Sequence, residues 1–236
     1  MTPATFNIPA GDVAGLVAAI NTANTNNQPD VINLAAGSVY TFTSRADNSL
    51  GGNALPEIAL DGGVAKNSLT INGHGATVQR SSAMSTPYFR FMKIGPSNPS
   101  GTVGAVDVNI NDLTMTAFNA PFPTDGFTPG GGAITVNRAN VTLTNCVLTG
   151  DSAQVVGGIF VIGERSQVVT LNQCTVTNNL GGSGAVHVEG PNLIVNGGTI
   201  SNNVGAGGIF FQIGNVCTVT GTVIQNNGSR GIDASG

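Results

Sequence analysis

The feature that most constrains this chain is a repeat. Segments opening Gly132-Ala-Ile-Thr-Val, Gly158-Ile-Phe-Val-Ile, Gly184-Ala-Val-His-Val, Gly208-Ile-Phe-Phe-Gln and Gly231-Ile-Asp start 26, 26, 24 and 23 residues apart. Between them runs a second family, Val141-Thr-Leu-Thr-Asn-Cys-Val-Leu-Thr-Gly-Asp151 and Val169-Thr-Leu-Asn-Gln-Cys-Thr-Val-Thr-Asn-Asn179. It continues as Leu193-Ile-Val-Asn-Gly-Gly-Thr-Ile-Ser-Asn-Asn203 and Cys217-Thr-Val-Thr-Gly-Thr-Val-Ile-Gln-Asn-Asn227. Within each block apolar and polar residues alternate, a turn residue intervenes, and alternation resumes. That is period two in short strands. A unit of roughly 24 residues with three such strands cannot bury its apolar side alone, whereas stacked units can. Strands wrapped three to a coil and stacked ~4.8 Å apart form a parallel β-helix, with each side chain above its equivalent one coil earlier. Residues 1–236 read as one such domain, with an N-terminal cap over 1–40 and coils over 41–236.

Stacking explains the composition. Gly, Asn and Thr number 34, 27 and 25, and only 8% of residues are charged. A charge repeated at every coil would repel itself across the strand spacing. The inward columns read Val141, Val169, Leu193, Cys217 and Leu148, Val176, Ile200, Ile224. The corner columns read Asn145, Gln173, Gly197, Gly221 and Asp151, Asn179, Asn203, Asn227, where left-handed backbone and stacked amides are tolerated. Arg138 and Glu164 fall at equivalent positions and predict a weak surface ion pair. With 40% hydrophobic residues the chain is not disordered. A net charge of −4 with eight basic residues excludes a nucleic-acid binder.

Asp12 as N-cap, then Val13, Leu16, Val17 and Ile20 at helical spacing, predict an amphipathic helix over about 13–23 that lies across the first coil. No apolar run reaches the ~18 residues of a membrane span. The start carries no signal peptide, so the protein stays inside or a signal has been removed. The end stops in mid-pattern without a second lid, which predicts a fragment of a longer chain and end-to-end pairing of coils. Three cysteines, Cys146, Cys174 and Cys217, make neither a disulfide framework nor a metal site. Cys146 and Cys174 read as stacked core residues.

The stretch Gly11-Asp-Val-Ala-Gly-Leu-Val-Ala-Ala-Ile-Asn-Thr-Ala-Asn24, with Pro29-Asp-Val-Ile-Asn-Leu-Ala-Ala-Gly37, resembles the N-terminal cap of bacterial right-handed parallel β-helix surface proteins. Asn53-Ala-Leu-Pro-Glu-Ile58 and Leu69-Thr-Ile-Asn-Gly-His-Gly-Ala-Thr-Val78 continue the likeness. Gly131-Gly-Ala-Ile134 and Thr199-Ile-Ser-Asn-Asn203 are similar to repeats of polymorphic outer-membrane-protein passengers. The wider group is the pectin-lyase-like superfamily, which holds lyases, hydrolases, adhesins and structural proteins. The resemblance implies an all-β, right-handed parallel β-helix, secretion, and an extracellular or cell-surface location.

Activity must be argued from residues. Glycoside hydrolysis needs carboxylates facing one groove, and a calcium-dependent lyase needs clustered ones. Asp107, Asp112, Asp151, Glu164, Glu189 and Asp233 are scattered, and no column places two acids in adjacent coils. His74 reads as a turn residue and His187 as a strand residue. No catalytic residue, metal or cofactor is assigned. Two features suit recognition. The loop 119–130 breaks the repeat and offers Phe122, Asp125 and Phe127 to a sugar or protein. The Gly-Ile-Phe segments align as Ile134, Phe160, Val186, Phe210 beside Thr135, Val161, His187, Phe211. Both columns are largely apolar, so one faces outward as an interaction strip carrying Phe160, Phe210, Phe211 or His187. The favoured reading is a non-enzymatic, adhesin- or stalk-like scaffold that contacts a polysaccharide or another surface protein, or self-associates. The alternative is a polysaccharide lyase or glycoside hydrolase. Outward Thr142, Thr170 and Thr218 raise ice binding remotely, against the interruption by Ile194.

Overall fold

Alternation in the sequence becomes three flat faces in space. A computed structural model describes residues 3–26, 28–59, 68–95, 106–120, 130–205, 207–213 and 216–235. The first face stacks Asp30–Leu34, Ala139–Thr144, Val168–Asn172, Asn192–Asn196 and Cys217–Thr220. The second stacks Val39–Phe42, Val147–Thr149, Thr175–Thr177, Thr199–Ser201 and Val223–Gln225. Two longer strands, Ser68–Arg80 and Val106–Thr116, bend through both faces and join them into one 13-stranded sheet. The third face is a six-stranded sheet from Met92–Ile94, Ile134–Asn137, Val156–Ile162, Gly184–Glu189, Gly207–Gln212 and Arg230–Ser235. Pairing along all three faces is parallel. The expected all-β parallel β-helix is therefore the fold.

The register follows the apolar columns. Val141, Val169, Leu193 and Cys217 pair in succession, as do Leu148, Val176, Ile200 and Ile224. The first corner is turned by left-handed residues, His74, Asp112, Asn145, Gln173, Gly197 and Gly221, with φ from 50° to 69°, followed in two coils by the left-handed Gly75 and Gly198. A single residue of this kind is the sharpest way to redirect a strand, and Asn and Gly adopt it at least cost. At the second corner the left-handed residues are Ala117, Gly150, Asn178, Asn202 and Asn226. This shifts the second sequence-read corner by one position. Asp151, Asn179 and Asn203 instead turn inward and are buried.

These inward amides form a ladder. Asn179 Oδ1 accepts from the Asp151 backbone N–H at 2.9 Å, and Asn203 Oδ1 accepts from that of Asn179 at 3.0 Å. Each Nδ2 donates to a carbonyl one coil back: Asn179 to Leu148, Asn203 to Val176 and Asn227 to Ile200, at 3.1, 2.9 and 2.9 Å. The ladder supplies partners to corner backbone groups that the sheets cannot reach.

The cap forms as its residues dictate. The helix α1 (Val13–Ala23) begins at Asp12, whose Oδ1 accepts from the Gly15 N–H at 2.8 Å. Its buried stripe, Leu16, Ala19, Ile20 and Ala23, joins the core of the first coils. At its C-terminus Asn24 Nδ2 donates to the Glu57 carbonyl at 2.7 Å, and Asn24 Oδ1 accepts from Ala59 N at 3.2 Å. Next to the cap the core is aromatic. Phe91 and Phe118 lie 5.2 Å apart between ring centres, and Phe42 and Phe91 5.9 Å apart.

Candidate functional site

The third face corrects the alignment of the Gly-Ile-Phe segments. Phe160 pairs with Thr135 and with His187, and His187 pairs with Phe210. Ile134, Ile159, Val186 and Ile209 form the neighbouring column. The expected columns are thus out of step at Phe160, Phe210 and Phe211 by one residue. For Phe160 the cause is a bulge: Val156 pairs with Gly184, but Ile159, three residues on, pairs with Val186, only two on. Phe210 and Phe211 shift because Val186 pairs with Ile209, a separation of 23 residues rather than the 24 read from Gly184 to Gly208. One extra residue in a strand reverses the facing of every later residue in it. A Cβ on Gly158 would lie 2.6 Å from the Ala185 carbonyl oxygen, so glycine permits the close approach.

Correct pairing gives one chemical column: Lys93, Thr135, Phe160, His187, Phe210 and Asp233. It lies on the side away from the coil core, which takes up Val136, Val161, Val188 and Phe211 instead. Phe211 is therefore an inward residue and leaves the strip. The outer column is covered from Lys93 to His187, with Phe160 0% and His187 4% exposed, while Phe210 and Asp233 are half-buried. His187 lies between two rings, 5.2 Å from Phe160 and 4.5 Å from Phe210. Its Nε2 is 2.8 Å from Glu189 Oε1, close but off line for a hydrogen bond. Burial lowers the His187 pKa against the pull of Glu189. A neutral imidazole packed between phenyl rings is what this arrangement holds at neutral pH.

Lys93 carries a second charge pair, which the sequence pattern did not single out. Its side chain is fully buried, with Nζ 2.6 Å from Glu57 Oε2 and 2.9 Å from the Gly95 carbonyl. Burial lowers the Lys93 pKa more than Glu57 raises it. A lysine inside the apolar run Phe91-Met-Lys-Ile94 was the available signal, since such a position demands a partner. Arg90, three residues earlier, is also buried.

The remaining acids stand apart. Asp107 Oδ1 accepts from Asn140 Nδ2 at 2.7 Å, and Asp112 Oδ1 from Asn145 Nδ2 at 3.1 Å. Glu164 lies 3.9 Å from Arg138 on the surface, the ion pair expected there. Asp233 pairs with Arg230. Asp151 is buried in the ladder, its Oδ1 accepting from Phe118 N at 2.9 Å and its Oδ2 without a partner. Among the described residues no three of His, Cys, Asp or Glu gather to hold a metal ion. Cys146 and Cys174 are buried and free, their thiols donating to the Ile110 and Leu143 carbonyls. The hydrogen bond to Cys174, then burial, pushes the Cys146 thiol up, away from a reactive thiolate. His74 is a left-handed corner residue, exposed at a groove lined by Asn7, Pro9, Asn33 and Ala35. Phe122, Asp125 and Phe127 lie outside the described residues.

No described carboxylate lines the grooves at His74, at Arg80–Tyr88 or between Tyr88 and Leu180. In the carboxylate–base pairs Glu57–Lys93 and Glu189–His187 the base is buried and the carboxylate partly exposed. No helix among the described residues is long and apolar enough to cross a membrane. No curated protein and no solved structure matches the chain. Residues 108–236 match the family model for the right-handed β-helix region. That span is more than half of the chain and covers the coils whose parallel pairing is described above, so this protein belongs to the right-handed β-helix family.

Proposed function

We propose that this chain is a non-catalytic scaffold of the extracellular space or cell surface. On this reading it is a rigid β-helical rod whose sides and loops meet a polysaccharide or another surface protein. One observation carries it: among the described residues the acids bond to neighbouring backbone and side chains and line none of the grooves described above. Asp107, Asp112 and Glu164 bind neighbours one coil away, and Asp151 sits inside the amide ladder. Acid–base chemistry on a glycan needs a carboxylate in reach of the sugar. The surface-protein likeness of the cap and of the Gly-Gly-Ala-Ile repeat supports the location. A turnover screen on pectins and other acidic and neutral polysaccharides tests the reading, monitoring new reducing ends and unsaturated products. No turnover is expected, and clear turnover would establish the lyase or hydrolase alternative.

Self-association is part of the same proposal. The strands Cys217–Thr220, Val223–Gln225 and Arg230–Ser235 pair on one side only among the described residues. Val216, Val223 and Ile232 are exposed beside them. Open strand edges recruit further strands. A polypeptide of this sequence is expected to sediment as dimers and longer species as concentration rises. A monomer at every concentration would count against coil-on-coil pairing.

A further inference from the structure

Among the described residues, Tyr88 is the aromatic that stands exposed on the rod. The chain has two tyrosines. Tyr40 is buried, and its hydroxyl donates to the Ile8 carbonyl at 3.0 Å. Tyr88 is 55% exposed at the end of the 81–88 loop. Its ring does not hang free. The Arg80 guanidinium lies 5.2 Å from the ring centre and is itself held by the carbonyls of Pro87, Ser81 and Thr86. Arg45 Nε donates to the Tyr88 carbonyl at 3.0 Å. The aromatic surface is therefore positioned before any ligand arrives, which lowers the ordering cost of binding.

Beside this ring opens a groove of about 490 Å³. Tyr88 stands at one end and Leu180 at the other, with Ala120 and Ala153 as apolar lining. Asn119, Ser152 and Gln154 supply the polar groups. Bridges from Phe89 to Asn119, Asn119 to Ser152 and Ser152 to Leu180 set these residues in successive coils, so the groove runs across the strands. Three strand spacings make it ~14 Å long. The side chains of Asn119, Ser152 and Gln154 take no hydrogen-bond partner among the described residues. Among the described residues no charged side chain lines the groove.

We propose that this groove binds a neutral oligosaccharide, with Tyr88 as the stacking platform and Asn119, Ser152 and Gln154 bonding its hydroxyls. The inference rests on the scaffold reading and names its ligand class. A sugar ring offers an apolar face of C–H groups and an equatorial rim of hydroxyls. It therefore needs an aromatic plane beside amides and a hydroxyl, each of which both donates and accepts. An acidic glycan would demand a free cation, whereas the Arg80 guanidinium beside Tyr88 is already engaged by the carbonyls of Pro87, Ser81 and Thr86. A folded protein would need roughly 800 Å² on its side of a stable interface, more than so small a groove offers.

The test is calorimetric titration of the whole chain with neutral oligosaccharides and, separately, with uronic-acid oligosaccharides of equal length. Binding is expected for the neutral series alone. Tyr88→Ala should weaken it by roughly tenfold or more, as truncation of a central aromatic anchor does, while Tyr88→Phe keeps most of it. Gln154→Ala should weaken it to a lesser degree. Both positions lie outside the core, and an unchanged circular dichroism spectrum of each variant checks this. No binding to the neutral series, binding to uronates alone, or binding indifferent to Tyr88→Ala would each overturn the proposal. None of these outcomes touches the non-catalytic reading, which falls to turnover.

Discussion

Asn179→Ala is expected to destabilise the protein by about 3–5 kcal/mol, whereas Asp151→Asn in the same ladder stabilises it by about 1–3 kcal/mol. Asn179 satisfies the Asp151 N–H through Oδ1 and the Leu148 carbonyl through Nδ2. Alanine leaves both buried groups without a partner. Position 151 is different, because a carboxyl stands where the next coils carry amides. Its Oδ1 plays the amide oxygen's part toward Phe118 N. Its Oδ2 stands where Asn179 and Asn203 place an Nδ2 that donates to the coil behind. Met115 pairs with Leu148, so the Met115 carbonyl is the acceptor that the repeat assigns to this position. Only a protonated carboxyl can donate there. Burial accordingly raises the Asp151 pKa well above its ordinary value.

The pH dependence has a definite sign. An unfolded Asp releases its proton near pH 4, while the folded Asp151 keeps its proton to higher pH. The folded state then binds more protons than the unfolded one, so stability falls with rising pH. Asp151 contributes fully below about pH 4, and that contribution is lost as pH climbs through the folded value. The advantage of Asp151→Asn should therefore grow with pH above this point. Urea midpoints at several pH values, with the slope m unchanged, measure both variants. A neutral effect of Asn179→Ala, or a loss in Asp151→Asn at pH 7, would refute the ladder account.

Glu57→Ala carries the second large effect, a loss of about 3–5 kcal/mol, because it strips a buried cation of its carboxylate. Lys93 Nζ is fully covered and lies 2.6 Å from Glu57 Oε2. The Glu57 backbone is pinned by Asn24 at the end of α1, so the cap and the pair are built together. Replacing both partners by methionine is expected to recover most of the loss, since an apolar pair removes two desolvated charges at once. Lys93 has a folded pKa below its ordinary value. Its unfolded form therefore binds more protons at intermediate pH, and the protein gains stability as pH rises through the folded value. The double variant abolishes that gain. A single variant as stable as the parent protein would show that the pair contributes nothing.

Much of the architecture was legible because it is local. Alternation marks a strand wherever it occurs, and Asn145, Gln173 and Gly197 mark a corner because few residues accept positive φ. The third face was less legible. Two glycines, Gly157 and Gly158, hide a one-residue bulge, and alignment by glycine then carries Phe160 into the wrong column. Nor does a sequence say which acid is buried. Asp151 looks like the other corner acids, and Lys93 looks like any charge at a strand position.

The repeat, the inward columns, the capping helix and the scarcity of charge were determined by the sequence itself. Each arises from the ~4.8 Å stacking of like on like, which rewards identical apolar residues and penalises identical charges. Only the tertiary structure decided the register of the third face, the partnering of Glu57 with Lys93, and the groove beside Tyr88. These depend on residues from 23 to 42 positions apart meeting across coils. Such contacts depend on where bulges and loops place each coil, which local alternation does not specify.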